Sequence, residues 1–202
     1  MLEARDLHFA YRGSMPVLAG AGLSVAPGEI VGLRGSSGCG KSTLGRLLAG
    51  WLAPARGDVL IDGAGMRPGW SPVQYVHQSS IFAVNPRWRI GRIAEEGWAP
   101  DAAACEAMGV SRRWYDRYPH EISGGELQRV ALLRALAPRT RYLVADEVTA
   151  ALDPLTQAAI WRALLARVDA GLGILAISHD APLLHRIARR RLTLDNGRVA
   201  EA

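Results

Sequence analysis

Short apolar runs, each closed by a polar residue or a glycine turn, recur along the chain. Glu29-Ile30-Val31-Gly32-Leu33-Arg34 reads as a short buried strand, and Leu44-Gly45-Arg46-Leu47-Leu48-Ala49 as the first turns of a helix. Before them, Leu7-His8-Phe9-Ala10-Tyr11 ends one strand and Gly22-Leu23-Ser24-Val25 forms a second, with Pro27-Gly28 as the turn that follows. Gly57-Asp58-Val59-Leu60-Ile61 is another strand, closed by the hairpin-type pair Asp62-Gly63. Pro72-Val73-Gln74-Tyr75-Val76-His77 is a strand that ends at Gln78. The pattern then changes. Residues 79–122 carry Trp88, Trp98, Trp114, Tyr115 and Tyr118 among Ala-rich helical pieces between prolines, which reads as an inserted helical lobe with an aromatic core of its own. A helix from Gly125 to about Ala137 places Val130, Leu133 and Ala137 on one face and stops at Pro138.

Alternation of strand and helix resumes after that. Arg141-Tyr142-Leu143-Val144-Ala145 is an apolar strand ending at Asp146-Glu147, and residues 154–169 form a helix with Pro154 near its first turn. Gly173-Ile174-Leu175-Ala176-Ile177-Ser178 is a buried strand ending at His179, a helix follows through Ala188, and Asp195-Asn196-Gly197 joins two final short strands. Three strands therefore end on polar side chains: Gln78, Asp146-Glu147 and His179. In an open parallel sheet, ligands bind outside the carboxyl ends of the strands, so these residues are expected to share one site.

The loop between the first buried strand and its helix supplies the ligand class. Gly35-Ser36-Ser37-Gly38-Cys39-Gly40-Lys41-Ser42-Thr43 fits GxxxxGK(S/T), the phosphate-binding loop. Its glycines let backbone N–H groups curl around a β-phosphate without Cβ clashes, and the helix N-terminus adds partial positive charge. Lys41 would reach the β- and γ-phosphates, and the Ser42 hydroxyl would ligate Mg²⁺. Asp146, after four apolar residues, has the pattern of a Walker B strand and would hold Mg²⁺ through water beside Ser42. Glu147 comes next and points elsewhere because side chains alternate along an extended chain, placed to accept a hydrogen bond from an attacking water. Ser123-Gly124-Gly125-Glu126 opens the later helix and is a second anion site by its N–H groups and hydroxyl. An N-cap accounts for Ser123, but two successive glycines weaken a helix start unless something approaches closely.

Composition adjusts this picture in a few places. Of 24 Lys and Arg residues in the 202-residue chain, one is lysine, Lys41. A compact ammonium fits inside a phosphate loop where a planar guanidinium is too large. Net charge is +5, but the arginines are spread out. The one cluster, Arg186, Arg189, Arg190 and Arg191, reads as a solvated helix end rather than a nucleic-acid patch. Two cysteines, Cys39 and Cys105, suggest a reducing compartment and no disulfide framework. The first residues lack the apolar core of a signal peptide, and no apolar run approaches the roughly 20 residues that span a bilayer. Any work at a membrane then needs other subunits to provide the span.

The order Tyr11, phosphate loop, Gln78, Ser123-Gly124-Gly125, Asp146-Glu147, Ala151-Leu152-Asp153, His179 resembles that of the ATP-binding cassette family, over nearly the whole chain. The resemblance implies an α/β fold: a P-loop NTPase with a RecA-like core, an N-terminal antiparallel β subdomain and an inserted helical subdomain. Residues 1–202 would form one domain, with 1–78 and 138–202 as core and β subdomain and 79–137 as the helical lobe. It implies ATP and Mg²⁺ as cofactors. Tyr11 would stack on adenine, Gln78 would sense the γ-phosphate and Mg²⁺, and His179 would contact the γ-phosphate. Ser123, Gly124, Gly125 and Glu126 would meet the ATP held by an opposite subunit, with Asp153 at the subunit interface.

Arg117-Tyr118-Pro119-His120-Glu121-Ile122-Ser123-Gly124-Gly125 looks like the YPHELSGG run of the dipeptide, oligopeptide and nickel importer branch, and Val84-Asn85-Pro86-Arg87 like its SLNPR segment. Ile122, Glu126 and Val148 depart from the usual leucine, glutamine and Pro or Ala, and Glu126 would bring a carboxylate near the triphosphate of the opposite subunit. The chain also lacks the C-terminal extension of many importers of this branch. The branch implies an ATPase subunit energising import of a peptide, nickel or metal-chelate substrate, peripheral on the cytoplasmic face of the cell membrane. Its partners would be a second, related cassette, integral membrane permease subunits and, indirectly, an extracytoplasmic binding protein; nucleic acid is not expected. The rival class is a soluble cassette ATPase acting on nucleic acid or ribosomes. Its DNA-repair members carry a long coiled-coil insertion and its translation factors two cassettes, neither of which is present here. Small-molecule kinases and GTPases do not need Ser123-Gly124-Gly125.

Overall fold

Strands that read as apolar without alternation are buried on both faces. The computed structural model, which describes residues 1–66 and 69–202, places three of them at the centre of one sheet. In chain order, β1 (Leu2–Ala10) and β2 (Pro16–Val25) form a hairpin, and β3 (Ile30–Arg34) leads through the glycine loop into α1 (Lys41–Leu48). A second hairpin, β4 (Arg56–Ile61) and β5 (Ala64–Gly65), precedes β6 (Val73–Val76). The helical segment holds α2 (Ile90–Ala94), α3 (Ala102–Ala107) and α4 (Gly124–Ala135). Then come β7 (Tyr142–Asp146), α5 (Pro154–Asp169), β8 (Gly173–Ile177), α6 (Ala181–Ile187), β9 (Arg190–Asp195) and β10 (Arg198–Glu201).

The antiparallel sheet has the order β2-β1-β4-β5, and the six-stranded core sheet β10-β9-β3-β8-β7-β6. Pairing is parallel from β9 through β3, β8 and β7 to β6, with β10 antiparallel at the edge. Alternate residues of each core strand feed two different apolar clusters. Val31, Leu33, Val144 and Leu175 join α1 residues Leu44, Leu47 and Leu48 and the antiparallel sheet. Ile30, Leu143, Ala145 and Ile174 join α4, α5 and α6 on the other face. A period of two is present, but both faces are apolar, so it does not appear as polar alternation.

The two sheets are tied at the β9–β10 turn. Asn196 and Gly197 have φ of +47° and +73°, and the Gly197 carbonyl accepts from Ala19 N–H at 2.9 Å. A Cβ at Gly197 would lie 2.8 Å from that nitrogen, so the turn requires glycine to approach β2.

The expected strands are all present, β2 starting earlier than its Gly22–Val25 core. The helix expected to run to Ala137 ends at Ala135 instead. Thr140 explains the difference: its Oγ1 donates to the Ala135 carbonyl at 2.8 Å and its N–H to the Ala137 carbonyl at 2.8 Å, which closes a turn over Pro138 and Arg139. Between Gln78 and α4 the helices are short, joined by 3₁₀ turns at Ser80–Phe82, Arg112–Trp114 and Pro119–Glu121. Trp88, Trp98, Trp114 and Tyr115 are half-buried and edge the same cluster that Ile30, Leu143 and Ile174 of the sheet join, so they do not form a separate lobe core. Guanidinium groups cover several of these rings: Arg92 lies 3.9 Å from the centre of Trp88, Arg112 4.5 Å from Tyr115 and Arg89 5.0 Å from Tyr118.

Candidate functional site

The loop after β3 is shaped by what surrounds it. A Cβ at Gly35 would stand 2.4 Å from the Leu194 carbonyl oxygen of β9 and 2.7 Å from Cys39 Sγ. Gly40 has φ +108°, and a Cβ there would meet Val17 Cγ1 at 2.8 Å. Gly40 is the N-cap of α1, and no side chain among the described residues caps that end. The first N–H groups of an eight-residue helix thus face the loop without side-chain partners, as an anion-binding terminus requires. Lys41 is only 6% exposed. Its Nζ donates to the carbonyls of Gly35 and Ser36, both at 2.8 Å, and lies 4.0 Å from Cys39 Sγ. Thr43 Oγ1 is 3.1 Å from the Tyr11 hydroxyl, and Phe9 meets the Tyr11 ring edge-on at 4.9 Å.

Asp146 closes β7 and is 5% exposed. Its Oδ2 accepts from the Tyr75 hydroxyl. Burial pushes the Tyr75 phenol well above its ordinary range, and the hydrogen bond to Asp146 adds to the shift, so Tyr75 stays protonated and donates. Glu147 corrects one expectation. Its φ is +50°, so the chain does not stay extended past Asp146 and strand alternation does not set its direction. Instead its N–H donates to the Ile177 carbonyl at 2.9 Å, and its own carbonyl accepts from Ala150 N–H at 3.1 Å. This left-handed turn aims the carboxylate between two other strand ends. His179 Nε2 is 3.0 Å from Oε1, and Gln78 Nε2 donates to Oε2 at 3.2 Å.

The three polar strand ends therefore do meet. Gln78, Asp146, Glu147 and His179 line one cleft of about 260 Å³ with Tyr11, Val17 and the loop residues Ser37, Gly38, Gly40, Lys41, Ser42 and Thr43. Gly35, Ser36 and Cys39 do not line it; they hold Lys41 from behind. Ser42, Gln78 and Asp146, the residues expected to hold Mg²⁺, all line this cleft, beside the Glu147 carboxylate and the His179 ring. No cluster of three or more His, Cys, Asp or Glu able to hold a metal exists among the described residues. Few protein oxygens beside phosphate groups suit Mg²⁺, which keeps several waters, and do not suit a metal that needs a full protein cage.

Ser123, Gly124, Gly125, Glu126 and Asp153 are not part of that cleft. Ser123 caps α4: its Oγ accepts from Glu126 N–H at 3.2 Å, while Glu126 Oε2 accepts from Ser123 N–H at 2.7 Å. This capping box folds the Glu126 carboxylate back onto its own helix. A Cβ on Gly124 would meet nothing within 4 Å, so no neighbour in this chain demands glycine there; one on Gly125 would touch Leu152 Cδ2 at 3.0 Å. Gly124 and Gly125 line a second groove of about 640 Å³ with Ile122 and Leu152, and Gln78 and Glu147 belong to both clefts. Asp153 caps α5, accepting from Leu155 and Thr156 N–H at 3.1 and 3.0 Å; its hydrogen bonds from Thr156 hold its carboxyl below the usual range.

Sequence reasoning did not single out Tyr75. The signal was present in the register: Tyr75 pairs with Val144 and therefore shares a sheet face with Asp146, two residues on.

Residues 18–150 match the family described as ABC transporter. The nickel import ATP-binding protein NikE of Rhodospirillum rubrum is 38% identical over 231 residues, covering 100% of this chain and 83% of that protein. The methionine import ATP-binding protein MetN of Caulobacter vibrioides is 38% identical over 221 residues, covering 100% of this chain and 66% of that protein. Among solved structures, the ATP binding subunit of an ABC transporter superposes with a TM-score of 0.86 at 25% identity, covering 100% of this chain and 89% of that one.

Proposed function

The chain belongs to the ABC transporter family and is an ATPase, and from that premise we propose that it energises an importer of nickel, a metal chelate or a peptide. Convergence of Gln78, Glu147 and His179 on the phosphate-loop cleft carries the reading. The likeness to nickel and methionine import proteins supports the direction of transport. In this reading the loop N–H groups and Lys41 bind the phosphates, and Tyr11 stacks on adenine. Ser42, Gln78 and Asp146 hold Mg²⁺, which when bound neutralises phosphate charge. Glu147 accepts a hydrogen bond from the attacking water, and His179 stabilises the charge that develops on the transferring group.

Ser123, Gly124 and Gly125 complete the site of a second cassette, with Asp153 at the shared face. Their absence from this chain's own nucleotide cleft supports that division. Closure of two such chains over two ATP molecules is the stroke, passed through the helical lobe (residues 79–137) to permease subunits at the cytoplasmic face. Among the described residues no helix is long and apolar enough to cross a membrane. The test is recovery of the tagged chain from detergent-solubilised membranes. The expected result is co-purification of integral membrane subunits and a related cassette, with ATPase activity. Recovery without membrane subunits, together with ATPase stimulation by DNA or ribosomes, overturns it. Loss of labelled nickel or labelled peptide uptake on deletion then assigns the cargo.

A further inference from the structure

Tyr75 and Gly45 fit each other. Gly45 lies one helical turn beyond Lys41, inside α1, where glycine is unfavourable relative to alanine. The structure supplies its reason: a Cβ there would stand 2.9 Å from Tyr75 Cε2 and 2.9 Å from Val144 Cγ1. Trp51 packs on the same phenol ring with centroids 4.9 Å apart. The ring is thus seated between α1 and the core sheet, 6% exposed, and its hydroxyl ends 2.5 Å from Asp146 Oδ2. That is the hydrogen bond the Asp146 carboxylate makes among the described residues.

We propose that Tyr75 is a positioning residue for Asp146: its hydroxyl engages Oδ2, stops rotation of the carboxylate, and leaves the other oxygen for the water shell of the nucleotide's Mg²⁺. Gly45 is the space that lets the ring sit there. The proposal rests on the reading of Asp146 as the carboxylate that holds Mg²⁺. Partners that orient a metal-holding carboxylate typically change metal affinity by tenfold or more when removed.

The test measures binding, not turnover. A fluorescent ATP analogue is titrated into the full-length chain in EDTA and then across a Mg²⁺ series, with thermal midpoints in EDTA as a folding control. Tyr75→Phe is expected to leave affinity in EDTA within about twofold and to raise the Mg²⁺ concentration for half-maximal gain about tenfold. Gly45→Ala, which keeps the hydroxyl but displaces the ring, is expected to shift the Mg²⁺ dependence in the same direction, and it decides the question should Tyr75→Phe fail to fold. Asp146→Asn is expected to abolish the Mg²⁺ response. A wild-type Mg²⁺ response in Tyr75→Phe and Gly45→Ala, with or without a lower thermal midpoint, makes Tyr75 a core filler and overturns the proposal. A wild-type response in Asp146→Asn overturns instead the reading of Asp146 on which it stands.

Discussion

Glu147 sits in a backbone conformation that a glutamate adopts only when its surroundings hold it, at a cost of order 1 kcal/mol or more. The return on that strain is aim: one carboxylate oxygen meets Gln78 and the other His179. Glu147→Gln keeps the shape but accepts a water hydrogen bond more weakly. It should lower the single-turnover hydrolysis rate by about 100-fold or more, roughly 3 kcal/mol of barrier, with ATP affinity near that of the wild type. Hydrolysis at a normal rate would remove Glu147 from its role. The identity of this residue was legible from its place after an apolar strand. Its direction was not, because the left-handed turn is set by the Ile177 carbonyl of a strand 30 positions away. Tyr75 escaped notice for a similar reason: nothing local in Val73–Val76 says that its hydroxyl meets Asp146, and only the β6–β7 register does.

Among the elements, α4 carries the sharpest test. In its capping box the Ser123 hydroxyl accepts from Glu126 N–H and the Glu126 carboxylate from Ser123 N–H, so Glu126 does not stand free at the helix mouth. Ser123→Arg should block hydrolysis at an opposite subunit's ATP while this chain's own ATP binding stays near normal; Lys41→Ala should do the reverse. Loss of the cap alone costs about 1 kcal/mol, so the thermal midpoint of the Ser123→Arg chain serves as the control for helix loss. Mixing the Ser123→Arg and Lys41→Ala variants of this chain should not restore hydrolysis unless the related cassette is present. Rescue by mixing alone would make the working unit a homodimer, and loss of ATP binding by the isolated Ser123→Arg chain would place Ser123-Gly124-Gly125 in its own site. The strands were legible because unbroken apolar runs have few other uses. Helix ends were less so: the end of α4 depends on where the Thr140 hydroxyl goes.

Across the whole molecule, arginine works as a fastener. Arg112, Arg134, Arg139 and Arg167 donate to the carbonyls of Pro100, Ala83, Gly97 and Leu136, all in or beside the helical segment with its short helices and many turns. A flat guanidinium can serve a carbonyl and a carboxylate together, as Arg134 does with Ala83 and Glu96; an ammonium fits such a pair poorly. Arg134→Lys should therefore cost about 1 kcal/mol and lower the thermal midpoint by about 2–4 °C, read by calorimetry, without changing ATP affinity. The segment so fastened forms one side of the larger groove, whose wall at Gln78 and Glu147 it shares with the nucleotide cleft. That shared wall has a pharmacological consequence. A small molecule lodged in the groove would disturb Glu147 from outside this chain's own triphosphate place, and at Gly124 and Gly125 it would stand where the opposite subunit's ATP is to be met. It should leave ATP binding by the isolated chain unchanged while blocking hydrolysis by the paired cassettes, and escape mutants should collect at Ile122 and Leu152 rather than in the glycine loop.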